Sequence, residues 1–292
     1  MGAPAELTST MVRAAMTHFR DALRSHRDVI DRLNVFPVPD GDTGTNMMLT
    51  VESVVDELEA LGPETSMADV CKAVAHGSLM GARGNSGVIL SQLLRGVSST
   101  FAAAPSVDAS RVAQALVEAA SLARKAVVRP VEGTILTVAH AAGEGAEAGR
   151  SESAELCRTL EAALDAAQRA LDSTPSLLPV LAQAGVVDAG GAGYVLLLQA
   201  LLTAVDGRPL PTPPMNGSTP AAAPVTAMAA ATAAAHGEES GLRYEVMYFL
   251  HAQDDTISDF KEVWAGIGDS IVVVGGDGTW NCHIHTDDIG AA

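Results

Sequence analysis

The chain has 292 residues, 48% of them hydrophobic, which is enough apolar material for one large domain or two ordinary ones. Eighteen Lys and Arg against 35 Asp and Glu leave a net charge of −17, which repels phosphate backbones and anionic lipid surfaces and argues against nucleic acid as a partner. Three cysteines, Cys71, Cys157 and Cys282, lie far apart with no CxxC spacing, the N-terminus lacks the apolar core of a secretory signal, and no run reaches the ~18 consecutive apolar residues of a spanning helix, so a cytoplasmic protein without a membrane span is expected.

Apolar residues at Met11, Ala15, Phe19, Ala22, Leu23, Val29, Ile30 and Leu33 recur at helical spacing and predict a first helix from Thr8 to Leu33. It delivers the chain to the stretch from Asn34 to Asn46. Pro37 and Pro39 stiffen the approach, and Asp40 and Asp42 straddle a glycine, so both carboxylates can turn toward one hard cation such as magnesium. Thr43, Gly44, Thr45 and Asn46 then supply hydroxyls and close backbone approach at a helix N-terminus, where free N–H groups favour an anion. The same D-G-D-T-G reads equally well as an Asp/Gly/Thr turn capping a helix. The second helix carries Met47, Val51, Val54, Val55, Leu58 and Leu61 and stops at Gly62-Pro63.

A third helix, roughly Met67 to Leu79, leads into a glycine-rich turn that opens the helix Val88 to Val97. Gly81, Gly84 and Gly87 let backbone approach a ligand, Ser78, Asn85 and Ser86 offer short polar groups, and Arg83 can neutralise phosphate charge. The competing reading is tight helix packing, with Arg83 paired to an acid. The next helix, Ser106 to Val128, ends at Arg129-Pro130, and Val131 to Thr137 opens another, where Thr134 is either a ligand-facing hydroxyl or an N-cap. Leu156, Leu160, Leu164, Ala167 and Leu171 mark a further helix, and Pro175 is expected to start a short one. A third glycine cluster, Gly185 to Tyr194, feeds the helix Val195 to Val205; its Asp188 suits a cap, a second metal reached through water, or a contact to a nucleotide.

About eight helices with glycine-rich turns between them, not after strands, argue against a Rossmann unit and a Walker loop. Three segments follow: a helical domain over 1–206, a Pro/Ala-rich disordered linker over 207–240, and the opening of an α+β domain over 241–292. In the last, Tyr244–Leu250, Ser270–Val274 and Trp280–His285 read as strands, Thr256–Trp264 as a helix and Asp277-Gly278-Thr279 as a hairpin turn. His283 and His285 would share one strand face, a site for zinc with Glu245 as the only third ligand in view, or simply two partly exposed histidines.

The motifs N-V-F-P-V-P-D-G-D-T-G-T-N-M from Asn34, G-A-R-G-N-S-G-V-I-L-S-Q from Gly81, P-V-E-G-T-I-L-T-V from Pro130 and G-V-V-D-A-G-G-A-G-Y from Gly185 together resemble the nucleotide-binding domain of the dihydroxyacetone-kinase L-subunit superfamily, and within it the bacterial fatty-acid kinase group. The resemblance covers residues 8 to 205 and implies a mainly α fold: an antiparallel barrel of about eight helices holding ATP and two magnesium ions in loops at one end. It matches Asp40 and Asp42 to metal-binding carboxylates, and Thr43, Gly44, Thr45 and Asn46 to residues beside the phosphates. Ser78, Gly81, Ala82, Arg83, Gly84, Asn85 and Ser86 match a second phosphate loop, Thr134 falls in the third motif, and Asp188, Gly190 and Gly191 match the loop closing on the nucleotide. Asn34 stands where sugar-kinase relatives carry a further metal-binding aspartate, which makes it a third candidate magnesium ligand beside Asp40 and Asp42, with ligation that would differ in detail. Relatives also place a cysteine on the first strand beside the two histidines, and residues 241–251 contain none. Members of the group continue well past this length, so a truncated chain is implied.

The activity implied is transfer of the γ-phosphate of ATP to the carboxylate of a fatty acid presented by a separate fatty-acid-binding protein, with Asp40, Asp42 and Arg83 carrying catalysis. A carboxylate is already ionised at neutral pH and needs no general base, in keeping with the absence of a His/Asp dyad in the helical segment. Dihydroxyacetone held by a partner subunit is the alternative acceptor, and a non-catalytic nucleotide-binding regulator the alternative role. A homodimer is implied by resemblance alone.

Overall fold

The computed structural model describes residues 4–213, 242–276 and 278–292. The amphipathic stretches fold as α1 (Ser9–Leu33), α2 (Thr43–Glu59), α3 (Met67–Gly81), α4 (Gly84–Phe101), α5 (Ala109–Ala126), α6 (Ile135–Glu152), α7 (Leu156–Leu177), the short α8 (Pro179–Ala184) and α9 (Ala189–Asp206). Thr8, Ser66, Asp108, Thr134 and Asp188 each accept a backbone N–H at the start of their helix, which satisfies donors that the helix itself leaves open.

Each long helix packs on the next, and α9 closes the ring by lying between α7 and α1. One hydrophobic cluster fills the interior, with Phe19, Leu23, Met47, Leu90, Leu93, Leu116, Leu156 and Tyr194 among its largest fully buried side chains. The α9 helix is long and apolar enough by composition to cross a membrane, but 67% of it is buried inside the protein. It is apolar because α1, α2, α6 and α7 surround it.

Pro175 does not start a helix; it sits inside α7, and the short helix begins at Pro179 instead. Proline at 175 cannot donate to the carbonyl of Leu171, and the hydroxyl of Thr174 donates to that carbonyl instead, at 2.7 Å. The α9 helix ends at left-handed Gly207, and Arg208 turns back onto Asp206 and Glu161. Most of the expected linker, residues 214–241, lies outside the described residues.

The chain then forms β1 (Tyr244–His251), α10 (Ile257–Trp264), β2 (Asp269–Gly276) and β3 (Thr279–Thr286). The sheet order is β1-β3-β2, both pairings antiparallel, so β3 is inserted between the two strands that α10 connects. Asp277, in the expected hairpin turn, lies outside the described residues. Strand alternation gives the sheet two apolar faces. Ile271, Val273, Cys282 and Ile284 pack with Ile257 and Trp264 under α10, while Val272 and Val274 pack with Ala82, Val88 and Ala126 of the helical ring. Val128 N donates to Ile271 O at 3.3 Å, Asn281 Nδ2 donates to Leu79 O at 3.2 Å, and the Arg95 guanidinium donates to Gly275 O. The sheet is thereby fastened against α3, α4 and α5.

Candidate active site

In an up-and-down ring every second helix starts at the same end, and four N-termini converge here. Thr43 of α2, Gly84, Asn85 and Ser86 of α4, Ile135 and Leu136 of α6, and Gly190 of α9 line one cleft of about 290 Å³, facing the inner side of the sheet. Helix N-termini offer unpaired N–H groups and the positive end of each helix dipole, so the ring supplies anion-binding capacity without basic side chains.

The α1–α2 loop sets the two aspartates at this cleft. Asn34 organises it: its amide oxygen accepts from Asp42 N at 3.3 Å, Thr43 N at 3.0 Å and Thr43 Oγ1 at 2.5 Å, while its Nδ2 donates to Val38 O at 2.7 Å. The oxygen of Asn34, the third candidate magnesium ligand, is engaged by these three donors in holding the loop. Asp40 and Asp42 both line the cleft. Desolvation first, then the Asp42 charge and a hydrogen bond between the two carboxyls, raise Asp40 from 3.8 to about 7. Two facing carboxylates without a cation resist double ionisation, and a divalent cation relieves that repulsion.

Thr45 turns away from the cleft, with its N–H and hydroxyl on the two oxygens of Asp31 at 3.0 and 2.8 Å. Gly44 serves helix contact, since a Cβ there would stand 2.5 Å from Arg27 O of α1. Asn46 lines the cleft opposite Gly84, whose φ of +55° favours glycine and where a Cβ would stand 2.3 Å from Asn46 Nδ2.

Of the second loop, Gly84, Asn85 and Ser86 line the cleft, and the amide oxygen of Asn85 is buried with no hydrogen-bond partner among the described residues. Ser78 is buried and donates to Ala75 O, and Gly81 lies close to Ser53 of α2, which places both in helix packing. Ala82 is buried against the sheet. Arg83 is exposed at the start of α4, its guanidinium donating to Ala82 O at 2.9 Å, and it is not among the cleft residues. Thr134 caps α6 and lines the cleft, as does Asp188, which caps α9 through a 2.7 Å bond from Gly191 N. Burial raises Asp188 to about 6 against the backbone bonds from Gly191 and Ile135. Gly190 lines the cleft, whereas Gly191 packs on Val138.

The sheet supplies the facing wall. His283 and His285 project to one side with ring centroids 5.0 Å apart, and Glu245 stands directly across from His285 on β1. One ligating atom from each of these three groups lies within 4.8 Å of the others. His283 is fully buried; its Nδ1 is 3.3 Å from Glu245 Oε1, and neither ring nitrogen makes a hydrogen bond among the described residues. Burial, then the neighbouring His285, push His283 down to about 3, so the imidazole is neutral and keeps a lone pair for a metal. Burial also lowers His285, opposed by Asp269 and Asp42. His76 and His140 are exposed, beside Glu57 and Glu144.

The DAK2 domain family profile matches residues 37–203, which is most of the ring. The chain belongs to the DAK2 domain family. Residues 241–292 match the profile of the FakA-like middle domain, named for fatty acid kinase. Protein YloV of Bacillus subtilis is 37% identical over 272 residues, which cover 92% of this chain and 49% of that protein. A protein of Staphylococcus saprophyticus is 36% identical over 278 residues with the same two coverages, and one of Staphylococcus haemolyticus is 42% identical over 186 residues, 64% of this chain and 34% of that one. The chain thus spans about half the length of the curated relatives it matches most fully. The native dihydroxyacetone kinase of C. freundii superposes with a TM-score of 0.52 at 18% identity over 69% of this chain and 36% of that one, which shows a shared fold.

Three polar residues of the cleft, Arg129, Asp269 and Ser270, are ones the sequence reading passed over. Arg129-Pro130 reads as a helix stop, and nothing in the period of β2 marks its first two residues as special. The register of β2 against β3 slips between Asp269 and Val272, and Ser270 there adopts a φ of +54°, unusual for a residue with a side chain. That irregularity is visible only once the strands are paired.

Proposed function

We propose that the cleft binds ATP with magnesium and that the protein is a cytoplasmic kinase transferring the γ-phosphate to a fatty-acid carboxylate presented by a separate acyl-binding protein. The observation carrying this reading is the meeting of the Asp40–Asp42 pair with four helix N-termini in one cleft. The donor set fits the ion: both groups are hard oxygen ligands, and burial, then the neighbouring Asp42 charge, raises Asp40 to about 7, a strain a divalent cation would relieve. Bound at Asp40 and Asp42, a divalent cation, or two, supplies charge neutralisation to the phosphate oxygens. The chain's own contribution is positional. Asn46, Gly84, Asn85 and Ser86 cradle the phosphates from the start of α2 and α4, and Thr134, Asp188 and Gly190 close the nucleotide side from α6 and α9. Neutral His283 and His285 with Glu245 suit zinc at the sheet wall, and glutamate there takes the place of the absent cysteine.

Calorimetry with ATP, with and without magnesium, tests the nucleotide site. Magnesium-dependent binding that disappears in an Asp40→Asn/Asp42→Asn variant is expected; equal binding without metal and without the aspartates overturns the proposal. Trapping an acyl phosphate with hydroxylamine, set against phosphorylation of dihydroxyacetone, distinguishes the acceptors. Nucleotide binding without turnover on either favours a regulatory role.

A further inference from the structure

We propose that Thr50 is a positioning residue for phosphoryl transfer, its hydroxyl holding the start of α4 in register with the aspartate loop, an inference that rests on the kinase reading. Thr50 lies one turn beyond Asn46 in α2, fully buried and not among the cleft residues. Its Oγ1 donates to Asn46 O at 2.7 Å and accepts from Arg83 N at 3.3 Å. Each of those two residues anchors a helix start. Asn46 N donates to Asp42 O at 2.8 Å in the first turn of α2, and Gly87 N donates to Arg83 O at 2.9 Å in the first turn of α4. A column of hydrogen bonds therefore runs from Asp42 through Asn46, Thr50 and Arg83 to Gly87.

The start of α4 needs such a brace from outside. Thr134 and Asp188 cap α6 and α9 with their own side chains, whereas Arg83, the N-cap of α4, makes no side-chain cap bond. A capping side chain would take one of the first N–H groups of the helix, which are the ones an anion needs. Thr50 takes the N–H of the cap residue instead, so α4 is held while the N–H groups of Gly84, Asn85 and Ser86 are left to the cleft. The sequence makes room for the hydroxyl: a Cβ at Gly87 would stand 2.4 Å from Thr50 Oγ1. The consequence is geometric. A cation on the aspartate pair and the N–H groups of α4 must meet on one phosphate, and a misplacement of about 1 Å can cost on the order of a hundredfold in rate.

ATP, titrated by calorimetry with and without magnesium into the whole chain and into Thr50→Ser, Thr50→Ala and Gly87→Ala variants, tests this, with circular dichroism confirming that each variant is folded. Both substitutions of Thr50 delete the buried methyl, and only Thr50→Ala deletes the hydroxyl. Magnesium-ATP affinity should stay close to wild type in Thr50→Ser and fall about tenfold or more in Thr50→Ala. Gly87→Ala crowds the same hydroxyl from α4, so it should follow Thr50→Ala, and it carries the test if that variant does not fold. The gain in affinity that magnesium brings should shrink in both, because cation and N–H groups no longer meet on one phosphate. General damage to the fold would instead weaken binding equally with and without the metal. That equal loss, or equal affinities in Thr50→Ser and Thr50→Ala, overturns the assignment. Turnover is read separately: magnesium-ATP binding that depends on the Thr50 hydroxyl, without phosphoryl transfer to either acceptor, condemns the kinase reading and leaves the positioning role standing. Transfer as fast in Thr50→Ala as in wild type does the reverse, and a wild type that binds no magnesium-ATP overturns both.

Discussion

Asp40 shows how a residue can be costly to the fold and suited to the site. Its carboxyl is held at about 7 against an ordinary 3.8. Between those values the native state holds a proton that the unfolded chain has released, so stability falls as pH rises from about 4 to about 7 and stays lowered above. Asp40→Asn should therefore stabilise the metal-free protein at pH 8 by about 1 kcal/mol, allowing for solvent screening at the exposed mouth, and leave stability at pH 4 unchanged. Urea denaturation at the two pH values checks this; an equal effect at both would mean that the shift is absent. The aspartate pair was legible because D-G-D-T-G brings two acids and helix-starting residues together in five positions of a single loop. Asn34 was not, because a side-chain amide before such a loop suits a ligand as well as a brace, and only the N–H groups that converge on its oxygen decide between them.

At the scale of elements, caps and apolar periods carried the reading, and what they missed lay in contacts between elements. Thr174 is the clearest case. Its hydroxyl donates to Leu171 O, filling the gap Pro175 leaves in α7, and accepts from Asp188 N at 3.1 Å, fixing the residue that caps α9 at the cleft. Proline alone reads as a helix start, since the hydroxyl that rescues the helix is specified by three-dimensional position. Thr174→Val keeps the shape and leaves two buried backbone groups unsatisfied, so a loss of about 1–3 kcal/mol is expected by denaturant titration. A neutral result would mean that water replaces the hydroxyl. The glycines divide similarly. Gly84 serves the cleft, but Gly44, quoted in the same loop motif as the aspartates, serves the approach of α2 to α1. Gly44→Ala should destabilise the fold by about 1–3 kcal/mol even with no nucleotide present, whereas Gly62→Ala, with nothing within 4 Å of the new methyl, should not.

For the molecule as a whole, the cleft belongs to both parts of the chain: the ring supplies helix N-termini and the aspartates, and the sheet supplies Glu245, Asp269, His283 and His285. β2 and β3 were legible as strands, but not that one face of their sheet would dock on helices, because Val272 and Val274 look the same in sequence whichever partner they cover. Docking rests on Val272 and Val274 against Ala82, Val88 and Ala126, and on the bonds from Arg95, Asn281 and Val128. Val274→Asp would bury an unpaired carboxylate at that contact, and Val274 itself does not line the cleft. Hydrogen exchange is expected to quicken about tenfold or more in β2 and β3, and in the 127–128 segment bonded to β2, while α6 and α7 keep their protection. Uniform acceleration through α6, α7 and α9 would instead mean that ring and sheet unfold as one cooperative unit. The first outcome makes the sheet a separable wall, so that detaching it removes His283 and His285 from the cleft while Asp40, Asp42 and the four N-termini remain. Magnesium-dependent ATP binding should then survive Val274→Asp while any zinc held by the histidines is lost.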